Sequence, residues 1–318
     1  MIDSGLEATV RPGASRWPGR GLGRQLRHAV LIYNPKAGKG RLQSIVDAVL
    51  PILRRGGFAV EAVATRGPGD ATRLAREATG IPKVEVVFGL GGDGTLRETG
   101  AGLLGTQVAL GPLPGGTTNV LTMALGLPRD PEAAATALCR LRPAPMDVGL
   151  CGAVPFLMMA SSGLDAQVMS HLDTDIKSQL GIGGVVLQGL SEWLMYSYPE
   201  LEVVADGVTH RASLAVVSNI PNYGGPYRIA PEARYDDGLF DLVLFRGSGR
   251  SATLSFAMDV TLGTHLERED VQVFKVKHVR LDRPDGVPVQ VDGDGSGLTL
   301  PVDVRFAPER LMVLAQPA

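Results

Sequence analysis

The sequence is short of cysteine, of net charge and of long apolar runs. Cys139 and Cys151 are its only two cysteines in 318 residues. Two cysteines cannot build a disulfide framework, and this pair lacks metal-ligand spacing. A reducing cytoplasm is the expected setting. Lys and Arg number 31 against 33 Asp and Glu, a net charge of −2. Nothing in that balance suggests a nucleic-acid partner. No apolar run reaches the roughly 18 residues of a membrane-spanning helix. The segment 1–28 lacks the apolar core of a secretory signal. The histidines His28, His171, His210, His265 and His278 are scattered, with no His-x-x-x-His pair. No Ser-His-Asp order is evident.

Glycine, by contrast, is plentiful. It fills 41 of 318 positions, nearly twice its usual share of about 7%. There is no Gly-X-Y period, which excludes collagen. A hydrophobic content of 44% with 20% charged residues excludes a mostly disordered chain. The excess is therefore local. The length suggests about two domains, each able to bury a core.

The segment 1–28 stands apart. Arg11, Arg16, Arg20, Arg24 and Arg27 face only Asp3 and Glu7, and Gly and Pro interrupt any periodicity. It reads as a disordered basic head. A weak electrostatic tether to anionic lipid is the sharper alternative.

From Ala29 a rhythm begins. Ala29–Tyr33 is a short apolar run, and Leu42 to Leu53 recurs at helical spacing before Gly56-Gly57. Phe58–Ala64 alternates as a strand, and Asp70 is expected to cap a helix through Ala78. Val84–Phe88, a helix over Leu96–Leu104 and a strand at Val108–Leu110 follow. Alternating strands and helices predict an α/β domain over 29–142. It would have three layers around a parallel sheet and would bind nucleotide. Over 143–318 short β runs dominate, with one helical segment at Ile176–Tyr198. They predict an all-β sandwich domain. The last strand, Leu311–Ala315, can return to either domain.

In parallel sheets ligands bind beyond the carboxyl ends of the strands, and glycine clusters fall there. The sharpest loop is Gly91-Gly92-Asp93-Gly94-Thr95. Its glycines allow positive φ and remove side chains, so backbone N–H groups can converge on phosphate oxygens. The helix opening there adds its dipole. Asp93 beside bare phosphate would repel it, so the residue makes sense with a Mg2+ between them. Asn34-Pro35-Lys36-Ala37-Gly38-Lys39-Gly40 is the second loop, with Asn34 to hold it and Lys36 and Lys39 to face an anion. It lacks the ending of a P-loop. Pro114-Gly115-Gly116-Thr117-Thr118-Asn119 is the third. Each alone suits an ordinary turn, whereas three on neighbouring strand ends fit one nucleotide.

Two acidic turns sit in the second half, Asp236-Asp237-Gly238-Leu239 and Val291-Asp292-Gly293-Asp294-Gly295. Hairpin turns account for either alone. With Asp93 and Asp147 they supply the metal ligands and proton acceptor that phosphoryl transfer requires.

These motifs, with Asp147-Val-Gly, Ser162-Gly-Leu-Asp-Ala, Asn222-Tyr-Gly-Gly and Ile229-Ala-Pro-Glu-Ala, occur in one order. In that order the chain resembles the diacylglycerol kinase catalytic-domain family, of the soluble bacterial lipid-kinase type. Sphingosine kinases are relatives and NAD kinases more distant ones. The likeness runs from about Ala29 to the C-terminus and implies ATP in a cleft between the domains. The ATP-binding residues it implies are Asn34, Pro35, Lys36, Ala37, Gly38, Thr65, Gly91, Gly92, Gly94, Thr95, Glu98, Thr117 and Asn119. It places Asp93 and Asp147 around the substrate Mg2+, and the proton acceptor at Asp292 or Asp294. It also implies a structural metal at Asp237 with the carbonyls of Arg234 and Leu239.

The implied activity is phosphorylation of a diacylglycerol-like or sphingoid lipid at a membrane surface, by a cytoplasmic enzyme with peripheral membrane association. A homodimer stays open. The segment Leu180–Trp193 either lines the lipid cleft as a gate or packs as a core helix. Three departures stand out: Val120 replaces a frequent Asp, Met123 a usual Arg, and Asp294 a Glu. They keep open a nucleotide-binding regulator with weak turnover, and the shared glycine loop keeps open an NAD-kinase-like enzyme with a soluble acceptor.

Overall fold

A computed structural model of the chain describes residues 26–37, 42–171 and 182–316. Gly38, Lys39 and Gly40, most of the basic head and the start of the Leu180–Trp193 segment lie outside these residues. Elements are numbered in chain order.

The first unit alternates as expected: β1 Arg27–Tyr33, α1 Leu42–Arg55, β2 Phe58–Ala64, α2 Asp70–Thr79, β3 Val84–Gly91, α3 Asp93–Leu103 and β4 Ala109–Pro114. Then come α4 Val120–Ala124, α5 Pro131–Leu138 and β5 Arg142–Met146. The sheet order is β2-β1-β3-β4-β20-β5, where β20 is Leu311–Ala315. Neighbours are parallel except β5, which runs against β20. Ala29–Ile32 and Val86–Leu90 are buried without a break, as helices on both faces of a parallel sheet require.

The structure changes three local expectations. Arg27 and His28, assigned to the head, pair in β1 with Phe58 and Ala59. The Arg27 guanidinium lies 4.0 Å over the Phe58 ring and donates to the Cys139 carbonyl, which fixes the strand's start. Asp70 is not the cap of α2. Gly69, at φ 78°, holds that position, and Asp70 accepts the Arg66 N–H and pairs with Arg73. The first sheet also continues past Arg142 through β5.

The second unit holds two six-stranded sheets, and the pairings within each are antiparallel. With β6 Gly149–Cys151, β7 Val154–Phe156, β9 Leu201–Ala205, β10 Val208–Ala212, β16 His278–Arg283 and β19 Val302–Phe306, one is ordered β10-β9-β16-β19-β6-β7. The other is ordered β15-β14-β11-β8-β17-β18. The strands used below are β8 Met159–Ser162, β11 Leu214–Ser218, β14 Phe240–Phe245, β15 Val271–Val276, β17 Pro288–Val291 and β18 Asp294–Thr299. The sheets close on Phe156, Val217, Phe240, Leu242, Val279 and Val304. Phe240 stacks on Phe306 at 3.7 Å between ring centroids.

In β11 and β14 alternate residues point to opposite faces. Val217, Phe240, Leu242 and Leu244 enter the sandwich core, whereas Val216, Val243 and Phe245 join the apolar cluster that contains the first sheet. One apolar cluster thus runs from the first sheet into the second unit.

Beyond the expected helical segment, seen here as α7 Ile182–Met195, this half contains α6 Leu164–His171 and α8 Arg250–Leu262. Sequence patterning concealed α8. Leu254, Phe256, Met258, Val260 and Leu262 alternate with other residues and so imitate a strand. On the helix Phe256 and Val260 are buried, while Leu254, Met258 and Leu262 are exposed.

Candidate active site

The three loops meet at the carboxyl ends of β1, β3 and β4, stitched by backbone bonds. The Asn34 N–H donates to the Leu90 carbonyl at 3.2 Å, and the Gly115 N–H to Gly91 at 2.9 Å. Asn34 Oδ1 accepts the Lys36 N–H at 3.0 Å and holds its own turn, which leaves Pro35 and Lys36 exposed. Thr65 donates its N–H to the Tyr33 carbonyl at 2.8 Å and is buried beside this edge. Two glycines are needed because the loops nearly touch. A Cβ on Gly116 would lie 2.5 Å from Gly92 Cα, and one on Gly115 2.9 Å from Gly91 N. Thr117 is exposed at the tip of the third loop.

Asp93 ties two of the loops together. It opens α3, and its carboxylate accepts the Val120 and Leu121 N–H groups at 3.0 and 3.1 Å and the Thr118 hydroxyl at 3.1 Å. It thus caps α4 from a distant part of the chain, where Asn119 has a positive φ of 52° and makes no side-chain cap. Burial raises the Asp93 carboxyl above its ordinary value, against the pull of those donors.

Two residues expected at the nucleotide hold loops in this structure. Asn119 Oδ1 accepts the Gly115 and Gly116 N–H groups, and its amide donates to the Gly116 carbonyl. Glu98 accepts the Gly69 N–H at 2.9 Å and the Ala71 N–H at 3.3 Å, so it caps α2.

From the second unit, the turn Asp292-Gly293-Asp294 closes over these loops, and its two acids differ sharply. Asp292 is 4% exposed. Its carboxylate accepts three successive amides, Leu157, Met158 and Met159, at 2.8 to 3.0 Å. Burial pushes its carboxyl up to about 6 although those amides favour the anion. Asp294 is 35% exposed at its side chain, and Arg97 Nη2 lies 3.4 Å from its Oδ2. A Cβ on Gly94 would meet that Oδ2 at 2.9 Å, so the carboxylate sits directly over the first turn of α3. The field of Asp294 also reaches Asp93.

A buried polar relay supports this turn, and sequence reasoning assigned none of its members a role. Gln290 Oε1 accepts the Gly293 N–H at 2.7 Å, and its amide donates to Ser161 Oγ at 2.6 Å. The Ser161 hydroxyl donates to Asp165, which also accepts the Tyr223 hydroxyl at 2.7 Å. Burial raises the Asp165 carboxyl. Asp165 was visible inside Ser162-Gly-Leu-Asp-Ala, but its partners lie on strands distant in sequence. Arg97 lies two residues beyond the Gly91–Thr95 motif.

Asp147 has other partners. It accepts the Gly238 N–H at 2.8 Å and pairs with Arg310 Nε at 2.7 Å, beside the Asp237 turn. Among the described residues, no group of three or more His, Cys, Asp or Glu side chains is arranged to hold a metal.

Glycine loops at parallel strand ends, faced by a solvent-reached carboxylate from a β-sandwich, define a class of phosphotransferase. Residues 28–151 match the diacylglycerol kinase catalytic domain, and residues 158–315 match the YegS C-terminal NAD kinase beta sandwich-like domain. The chain belongs to the diacylglycerol kinase catalytic-domain family and is a lipid kinase.

It is 34% identical over 224 residues to the "Probable lipid kinase YegS-like" of Pseudomonas putida, covering 69% of this chain and 74% of that one. It is 27% identical over 279 residues to the diacylglycerol kinase of Bacillus subtilis, covering 86% and 91%. A crystal structure from Bacillus anthracis str. Sterne, described as "a putative diacylglycerol kinase", superposes with a TM-score of 0.77 at 25% identity. It covers 95% of this chain and 99% of that one. These likenesses bear out the resemblance read from the motifs and the two-part fold. Among the described residues no helix is long and apolar enough to cross a membrane.

Proposed function

We propose that the protein transfers the γ-phosphoryl group of ATP to a hydroxyl of a diacylglycerol-like or sphingoid lipid, at the cleft between its two units. The observation that carries this reading is Asp294, held by the second unit over the glycine loops of the first. The residues present suit ATP with Mg2+: glycines open a cradle that a Cβ would fill, and Asp93 and Asp294 lie within each other's field. Mg2+ would offset charge on the phosphates, as in phosphoryl transfer generally.

The chain's own residues position and accept. Asn34, Lys36 and the loops Gly91–Thr95 and Gly115–Thr118 orient the nucleotide, with Thr65 at its edge. The lipid oxygen forms its bond to the γ-phosphorus as the bond to ADP breaks. Its proton passes to the Asp294 carboxylate. Asp292 and the Gln290 relay aim that carboxylate, and Arg97 holds it from the other side.

Labelled ATP offered with diacylglycerol, monoacylglycerol, sphingosine, phosphatidylglycerol and NAD tests the reading. Label in the organic phase is expected. Label on NAD overturns it, and ATP binding without any phosphorylation returns the regulator. Gly116→Ala forces Gly92 away by overpacking that costs about 1–3 kcal/mol. The expected result is roughly tenfold weaker ATP binding in calorimetry, with the fold retained.

The lipid reaches this site from a bilayer surface. Leu254, Met258 and Leu262, exposed by 51, 58 and 71%, form one stripe on α8. Exposed Leu190, Leu194 and Met195 of α7 lie nearby, where Trp193 Nε1 donates to the Arg250 carbonyl at 3.0 Å. The exposed face of α8 has Arg250 and no acid, and Asp259 is taken by Arg268 at 2.6 Å. Such a face suits apolar contact with an anionic membrane. Leu254→Glu with Met258→Glu should lower sedimentation with anionic vesicles and turnover of vesicle-borne lipid. Turnover of a short-chain lipid dispersed in detergent should stay near that of the unaltered protein.

A further inference from the structure

The resemblance implies a structural metal at the Asp237 turn, and the residues there do not fit one. Asp237 Oδ1 accepts the Leu239 N–H at 3.0 Å, and its Oδ2 faces Lys275 Nζ at 3.5 Å. The same ammonium donates to Asp241 Oδ2 at 2.8 Å and to the Glu232 carbonyl at 3.1 Å. Its three donors therefore have three oxygens to face. The placement is built into the sheet: Asp241 of β14 and Lys275 of β15 lie directly opposite each other. Asp241 is 1% exposed, and a buried carboxylate needs such a partner.

The Lys275 ammonium, an ordinary lysine cation, lies among these three oxygens. A divalent ion on Asp237 would sit against this positive charge and would have to take the Asp237 oxygen that faces the lysine.

We infer that Lys275 takes the place of the structural metal in this chain, clamping Glu232, Asp237 and Asp241, so that the second unit folds and stays folded without a divalent ion at this turn. The inference does not depend on the acceptor lipid or on turnover. Its readouts are metal content and thermal midpoint, so failure of the kinase reading would leave it standing.

The test uses the full chain, without nucleotide. After EDTA and dialysis, the unaltered protein should carry no stoichiometric Mg2+ or Ca2+ by elemental analysis. Its thermal midpoint should not move when either ion is added. Lys275→Met strands two carboxylates, so its midpoint should fall by about 5 °C or more. Added Ca2+ should recover part of that loss, and Asp237→Asn in the same chain should abolish the recovery. One ion per chain in the unaltered protein, removed by EDTA with a fall in midpoint and absent from Asp237→Asn, would overturn the inference. If Lys275→Met does not fold, the measurements on the unaltered protein and on Asp237→Asn alone decide it.

Discussion

Replacing Asp294 with Asn should lower kcat by about 10²–10⁴, the contribution typical of a positioned proton acceptor. The amide keeps the volume and the contact with Gly94 but cannot take a proton from the lipid hydroxyl. Asp294 is the more exposed acid of its turn, and the amide oxygen of Asn can still accept from Arg97. Thermal midpoint and nucleotide affinity should stay close to those of the unaltered protein. Asp294→Glu extends the carboxylate by one methylene and should retain most turnover. That rescue separates proton acceptance from packing. Near-normal turnover in Asp294→Asn, measured with a lipid that the unaltered protein phosphorylates, would remove Asp294 from the mechanism.

Asp93→Ala should act differently, through the nucleotide loops and through stability. The carboxylate accepts the amides of Val120 and Leu121, which are 4% and 1% exposed. Each buried donor left alone costs about 1–3 kcal/mol. The expected fall in thermal midpoint is about 5–15 °C. Because α4 loses its cap, the Gly115–Thr118 loop should leave its place and ATP affinity should drop with it. Asp93→Asn retains one acceptor and should fall between. An Asp93→Ala protein as stable as the parent, with unaltered ATP affinity, would refute the loop-tying role.

The strand-and-glycine rhythm was legible because parallel strands buried on both faces are short apolar runs, and the turns between them need glycine. Phe58–Ala64 was read to the residue for that reason. The site was legible as a set of motifs but not as a division of labour. Glu98, Asn119 and Asp292 stand inside recognisable motifs, yet each spends its side chain on backbone amides. Those of Leu157 to Met159 lie over 130 positions from Asp292, and no local pattern announces such a bond. Lys275 is one position in an alternating strand and becomes notable only when the register sets it against Asp241. The helix α8 escaped the reading, because its exposed face is as apolar as its buried one.

The placement of β20 bears on how the protein is made. This strand follows the whole β-sandwich in sequence and lies between β4 and β5. During synthesis the nucleotide unit emerges first, but its sheet stays open until the ribosome has finished the β-sandwich. The edge of β4 is then an unpaired strand edge, exposed for as long as translation of the second unit lasts. A gene fragment ending near Met146 should therefore yield an aggregating product rather than a separable nucleotide-binding domain.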